Sequence, residues 1–148
     1  MSEAKYEFRR VALETGETKS WQSNGATKSH NQKGRKVPFV MLYQEECKEL
    51  ALNEKLQGFD LRVFLFLVGV LDPENWVTIH HAQIARQMNA TRQQVTRSVN
   101  RLVAEKIILK GTERTYRLNP GVGWKGDAVS QESAHRDLLA GKLTVVRP

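Results

Sequence analysis

Between residues 92 and 106 the apolar side chains fall at Val95, Val99, Leu102 and Val103, spaced four, seven and eight residues from the first. That spacing puts them on one stripe and predicts a packed helix from about Arg92 to Lys106. Thr91 stands just before it with Gln94 three residues on, a pair able to form a capping box. A shorter periodic stretch comes first: Ile84, Ala85 and Met88 share one face of a helix from His80 to Met88, and Asn89-Ala90 separates the two. On either side the period changes to that of strands. Trp76-Val77-Thr78-Ile79 is a short β-prone run. Ile107 to Lys110 and Arg114 to Leu118 alternate around Gly111-Thr112-Glu113, which predicts a two-stranded hairpin with one face on the helices, ended by Asn119-Pro120-Gly121.

Leu61 to Leu71 is apolar on nearly every face and predicts a buried central helix, capped by Asp60 and stopped by Asp72-Pro73. Upstream, Val37 to Tyr43 reads as a strand or extended segment. It leads into a helix from Gln44 to Leu56, with Cys47, Leu50, Ala51 and Leu56 as its expected buried positions. Tyr6 to Trp21 can form a hairpin around Glu14-Thr15-Gly16-Glu17. Ser23 to Lys36 is too polar to order itself and reads as a flexible basic linker. At the other end a short helix is expected over Ser130 to Leu139 and a strand over Leu143 to Val146, an apolar terminus suited to pairing two subunits. There is no internal repeat.

Charge adds a direction to this order of elements. The net charge is +7 and the isoelectric point near 9.8, which favours a polyanionic partner. From Asn75 to Ala104 there is no Asp or Glu, where about three would be expected at this composition, yet Arg86, Arg92, Arg97 and Arg101 are all present. On the second helix the face opposite the apolar stripe carries Gln93, Arg97, Asn100 and Ala104, flanked by Gln94, Thr96 and Arg101. Arg can pair bidentately with guanine and Gln or Asn with adenine in the major groove. We therefore expect Gln93, Arg97, Thr96 and Asn100 to read base edges, and Arg92, Gln94 and Arg101 to hold the backbone. His80 and His81 would set a ring and the first helix's N-terminal amides beside a phosphate. Lys110, Arg114 and Arg117 fall on or near the hairpin, placed for the flanking minor groove or backbone. The plainer alternatives are a solvated helix face and a hairpin that only covers the core. The linker's Lys28, Lys33, Arg35 and Lys36 are further candidates for nonspecific phosphate contact, with loop solvation as the simpler account.

Other chemistry finds little support. One cysteine, Cys47, excludes an internal disulfide and any Cys-based zinc site and fits a reducing cytoplasm; as a residue it reads as core filler. Adjacent His80 and His81 cannot both point into one metal site, the tyrosines sit among apolar residues, and no Walker loop, nucleophile elbow or carboxylate cluster occurs. Neither catalysis, a cofactor nor a metal is expected. No apolar run is long enough to span a bilayer, and nothing resembles a signal peptide, so a cytoplasmic protein without membrane contact is expected.

The fold class implied is α+β: a winged helix-turn-helix DNA-binding domain over residues 37–126, an N-terminal hairpin and flexible basic linker over 1–36, and a C-terminal extension over 127–148 that can dimerise. Several motifs also resemble one family. Val11 to Glu17 with its Glu-Thr-Gly-Glu, the basic spacer, Phe39-Val-Met-Leu-Tyr43, Thr91-Arg-Gln-Gln-Val-Thr-Arg97, and Tyr116-Arg-Leu-Asn-Pro120 closing on Gly123-Trp-Lys-Gly126 look like the RepL-type plasmid replication proteins. The closing pair of motifs is the more particular part. The resemblance implies a winged-helix protein that binds plasmid origin or promoter DNA and supports or regulates replication. Double-stranded DNA is the expected partner, bound by a homodimer on a repeated or palindromic site, with host replication or transcription proteins as further candidates. A winged-helix repressor or copy-control regulator, and a winged helix that docks an acidic protein, are the alternatives that the same residues leave open.

Overall fold

The computed structural model describes residues 37–148. The hairpin expected over Tyr6 to Trp21 and the linker over Ser23 to Lys36 lie outside the described residues. The chain enters through a short strand β1 (Met41–Leu42), helix α1 (Gln44–Leu52) and helix α2 (Gly58–Gly69). After a 3-10 turn at Pro73–Asn75 come β2 (Trp76–Thr78), α3 (His81–Met88), α4 (Arg92–Ala104), β3 (Ile108–Lys110), β4 (Thr115–Leu118), β5 (Gly123–Trp124) and α5 (Ala128–Leu139). Residues Phe39–Pro148 make one compact α+β unit.

The two small sheets are antiparallel. In one the order is β2-β4-β3, with Val77 opposite Tyr116 and Leu109 opposite Arg117; in the other β1 pairs with β5, Met41 opposite Trp124. The hairpin expected from the sequence is thus present, and β2 adds a third strand to it. Asn75 ties the two sheets together. Its backbone is left-handed, at φ 70°, a conformation Asn tolerates better than most residues. Fully buried, it donates from Nδ2 to the carbonyls of Leu118 and Gly123 and accepts from the Lys125 N–H, each at 2.9 Å. No polar atom of that amide is left without a partner's use.

The core gathers Val63, Phe64 and Leu67 of α2, Ile84 and Ala85 of α3, Val95, Val99 and Leu102 of α4, and Val77, Ile108, Tyr116 and Leu118 of the sheet. Each of the three α4 residues has no exposed surface. Fully burying side chains of this size is worth about 1.5–3 kcal/mol apiece, so the stripe read from the sequence is what fastens α4 to the body.

Elsewhere the sequence expectations need correcting. α1 stops at Leu52 and has no fully buried residue; Cys47 and Ala51 are exposed, and Leu50 and Leu56 only half-buried. Cys47 is therefore not core filler. α2 is not covered on every face, since Leu65 is 62% exposed. Asp60 is not its cap: Gln57 holds that position, and Asp60, three residues on, accepts the Gln57 N–H at 2.8 Å. α5 forms as expected, but Leu143 to Val146 pair with no strand. Among the described residues no helix is long and apolar enough to cross a membrane.

Candidate nucleic-acid interface

α3 and α4 are joined by a turn that both ends define. Asn89 closes α3 in the left-handed conformation, at φ 56°, and the Ala90 N–H reaches back to the Ala85 carbonyl at 2.9 Å. Thr91 then opens α4 reciprocally with Gln94. The Gln94 N–H donates to Thr91 Oγ at 3.1 Å, and the Thr91 N–H donates to Gln94 Oε1 at 2.9 Å. The capping box read from the sequence is present, and it occupies the Gln94 carbonyl oxygen. Only the Gln94 amide NH2 stays free to donate outward.

Beyond the cap, Arg92, Gln93, Arg97 and Asn100 are exposed on α4. Arg92, Gln93, Thr96 and Arg97 line a shallow hollow of about 420 Å³ along its first two turns. Thr96 also reaches sideways, its hydroxyl 3.0 Å from His81 Nδ1, so it links α4 to the start of α3. Next to the hollow runs a cleft of about 440 Å³ between α3 and the β3–β4 hairpin. His80, His81, Arg92, Lys110 and Arg114 line it, with Glu113 as its acid and Tyr116 as its wall. Arg92 belongs to both surfaces, so the two are continuous. The Lys110 ammonium lies 5.3 Å from the centre of the Tyr116 ring, within cation–π range.

The cleft's cations act on one another. Burial, and then the charges of Arg92, Lys110 and Arg114, push His81 below its ordinary pKa of 6.5. It is neutral at neutral pH, with Arg92, Lys110 and Arg114 around it. An anion entering the cleft would meet those charges at once and would ease protonation of His81.

Two arginines expected to face DNA are turned elsewhere. Arg101 donates from Nε to Asp60 at 2.8 Å across the α2–α4 seam, and its side chain is two-thirds covered. Arg117 is 6% exposed, stacked 4.5 Å from the Trp76 ring centre, and bonded to the carbonyls of Glu74 and Thr144 at 3.0 and 2.7 Å. It lies in the body of the sheet and not on the hairpin's outer surface, contrary to the sequence expectation. Asp60, Ser98 and Asn75 are functional to the fold and were not foreseen in these roles. Ser98 did carry a signal. It interrupts the apolar stripe at a position between Val95 and Leu102, where a polar residue implies a buried partner. Among the described residues no three of His, Cys, Asp and Glu come close enough to hold a metal ion.

Comparison of the chain with protein-family models, with curated proteins and with solved structures gave no match.

Proposed function

We propose that α2, α3, α4 and the three-stranded sheet form a winged helix-turn-helix, and that the protein binds double-stranded DNA sequence-specifically to support or regulate plasmid replication. The observation that carries the DNA reading is the continuous basic surface from Arg97 and Arg92 on α4 to Lys110 and Arg114 on the β3–β4 hairpin, beside two helices that carry no acidic residue and with Glu113 as its one acid. α4 enters a major groove, where Gln93, Arg97 and Asn100 meet base edges. The cleft with His80, His81, Lys110 and Arg114 takes the flanking backbone. Two copies on repeated half-sites would lie about 10 bp apart or a multiple of that. The plasmid assignment is supported by the likeness of Tyr116 to Pro120 and Gly123 to Gly126 to RepL-type proteins. In this fold several of those residues hold the sheets together, Trp124 and Arg117 among them.

The test is a gel shift with fragments of plasmid DNA against a random-sequence competitor. Enrichment of particular fragments is expected. Arg97→Ala should lower that preference by about 1–3 kcal/mol, the worth of one bidentate base contact. Equal losses on enriched and random DNA would remove Arg97 from base reading. A plasmid-loss assay after deletion of the gene separates replication from gene regulation, since loss is expected in the first case and only altered transcript levels in the second.

A further inference from the structure

Among the described residues Asp60 is the one fully buried carboxylate, and it sits under the helix proposed to read DNA. Its oxygens accept three hydrogen bonds, two of them from α4. Ser98 Oγ donates to Oδ1 at 2.5 Å; Arg101 Nε and the Gln57 backbone N–H donate to Oδ2 at 2.8 Å each. Arg101 extends the contact through Nη2, 3.4 Å from Gln57 Oε1. Ser98 has no exposed surface of its own.

Apolar packing alone does not fix where α4 sits. Val95, Val99 and Leu102 could slide or rotate against α2 and repack at modest cost, because such contacts have little direction. Hydrogen bonds to one carboxylate from two residues three apart do have direction. Turning α4 about its axis, or shifting it by one residue, breaks both together and leaves a charge buried without partners. The same bonds aim the Arg101 guanidinium back toward α2, although Arg101 follows Arg97 by one helical turn and could otherwise share its outward edge.

We infer that Asp60 is a positioning residue for DNA reading: it sets the register of α4 and keeps the Arg101 guanidinium out of the set that neutralises phosphates. This rests on α4 being the DNA-reading helix. Arg92 then carries the electrostatic part of binding on α4, Arg97 reads bases, and Arg101 contributes through geometry alone.

Salt dependence separates the two roles, because each phosphate neutralised adds about 0.9 to the slope of log affinity against log salt. Anisotropy titrations of the full chain would use a labelled random-sequence duplex across a NaCl series, followed by competition with fragments enriched from plasmid DNA. Arg92→Ala is expected to flatten the slope by about one. Arg101→Ala should leave the slope at the wild-type value and yet lose about tenfold in preference for enriched over random DNA. Asp60→Asn should lose preference similarly and steepen the slope as Arg101 is released. If Arg101→Ala does not fold, the double variant Asp60→Asn with Arg101→Gln, which keeps an uncharged hydrogen-bonding pair, gives the slope instead and should also match wild type. A slope flattened by about one in either variant would make Arg101 an ordinary phosphate contact and overturn the inference. So would an unchanged preference in both Arg101→Ala and Asp60→Asn. Absence of salt-dependent binding or of enrichment by the wild-type protein overturns the DNA reading beneath it, a failure that no variant is needed to recognise.

Discussion

The seam between α2 and α4 and the seam between β4 and the C-terminal tail each hold an arginine that its sequence position assigns to DNA, and they hold it by different physics. At the first, Arg101 meets a carboxylate, Asp60, and the pair is charge-balanced. At the second, Arg117 lies between the rings of Trp76 and Trp124, at 4.5 and 6.0 Å, and its bonds go to two backbone carbonyls. Burial pulls the Arg117 pKa below its ordinary value, and the charges of Glu74 and Asp137 offset this only in part. A carboxylate neutralises, directs and titrates; π faces and carbonyls direct without titrating. The α2–α4 seam is therefore the one that acid should loosen, and the tail seam the one that responds to loss of packing.

The sharpest break in that comparison is Asp60→Ala. It removes the acceptor of the Ser98 hydroxyl, the Gln57 N–H and Arg101 together, at a site with no exposed surface. Breaking a buried pair costs about 3–5 kcal/mol. Because the Arg101 side chain remains 34% exposed and can regain water, a loss of about 3 kcal/mol is expected. Urea denaturation followed by circular dichroism measures it through the midpoint at constant slope. A loss below about 1 kcal/mol would mean that the network adds little beyond an ordinary surface pair.

Titration reaches part of the same loss. Burial by itself raises the Asp60 pKa, but the hydrogen bonds from Arg101, Gln57 and Ser98, with the Arg101 charge, outweigh it and leave the group below its ordinary 3.8. The unfolded chain thus takes up this proton first as pH falls. The stabilisation is complete above about pH 5, declines below the unfolded-state pKa, and is gone once pH has passed the folded-state value. Urea midpoints measured between pH 5 and 2 should fall less steeply for Asp60→Asn than for wild type. Asp127, lowered chiefly by the Ser130 N–H and hydroxyl, titrates in both proteins and cancels from the difference. Parallel profiles would show that Asp60 does not carry the acid response, whereas Arg117→Met is expected to run parallel to wild type.

The tail seam should give the smaller loss to substitution. Arg117→Met keeps most of the volume between the two tryptophans and removes the buried charge, which offsets the two hydrogen bonds and the ring contacts given up. A net loss of about 1–2 kcal/mol is expected by denaturation. A loss as large as that of Asp60→Ala would place both seams in one class and end the distinction.

The two seams also mark where the sequence was legible. The helix α4 could be read because each member of its stripe packs, and because its cap is a local event between Thr91 and Gln94. The exposed side of α4 followed from that stripe by geometry. Arg101 and Arg117 could not be read this way. Their partners lie 41 and 43 residues upstream, at Asp60 and Glu74, and only the tertiary fold brings them near. The apolar run of α2 misled in another manner: a helix that is apolar all round does not say which face stays open, and Leu65 does. In α1 the apolar positions have the spacing of a core face, yet they meet the body only at its margin. The pattern over Leu143 to Val146 has strand character, but the Thr144 carbonyl is given to Arg117 and not to a ladder.

That last contact leads to the mildest prediction. Gly111, at the hairpin turn, has no room for a side chain: a Cβ there would lie 1.8 Å from the Val145 carbonyl oxygen and 3.1 Å from that of Thr115. The tail and the hairpin touch through this glycine, one residue along from the carbonyl that Arg117 uses. Gly111→Ala must push the tail away, drawing the Thr144 carbonyl off the guanidinium and leaving the Glu74 carbonyl and the rings in place. Beyond α5 the tail joins no strand and is held by side chains, through the Thr144 carbonyl and through Arg147, which meets Asp72 at 3.1 Å on the surface, so it can yield. A global loss of under about 1 kcal/mol is expected, the worth of one hydrogen bond. The larger change should be local, as faster amide hydrogen exchange from Leu143 to Val146 with unchanged protection in α4. Faster exchange across α4 as well would show that the tail seam and the α2–α4 seam open together, and the contrast between them would then be one of chemistry without independence.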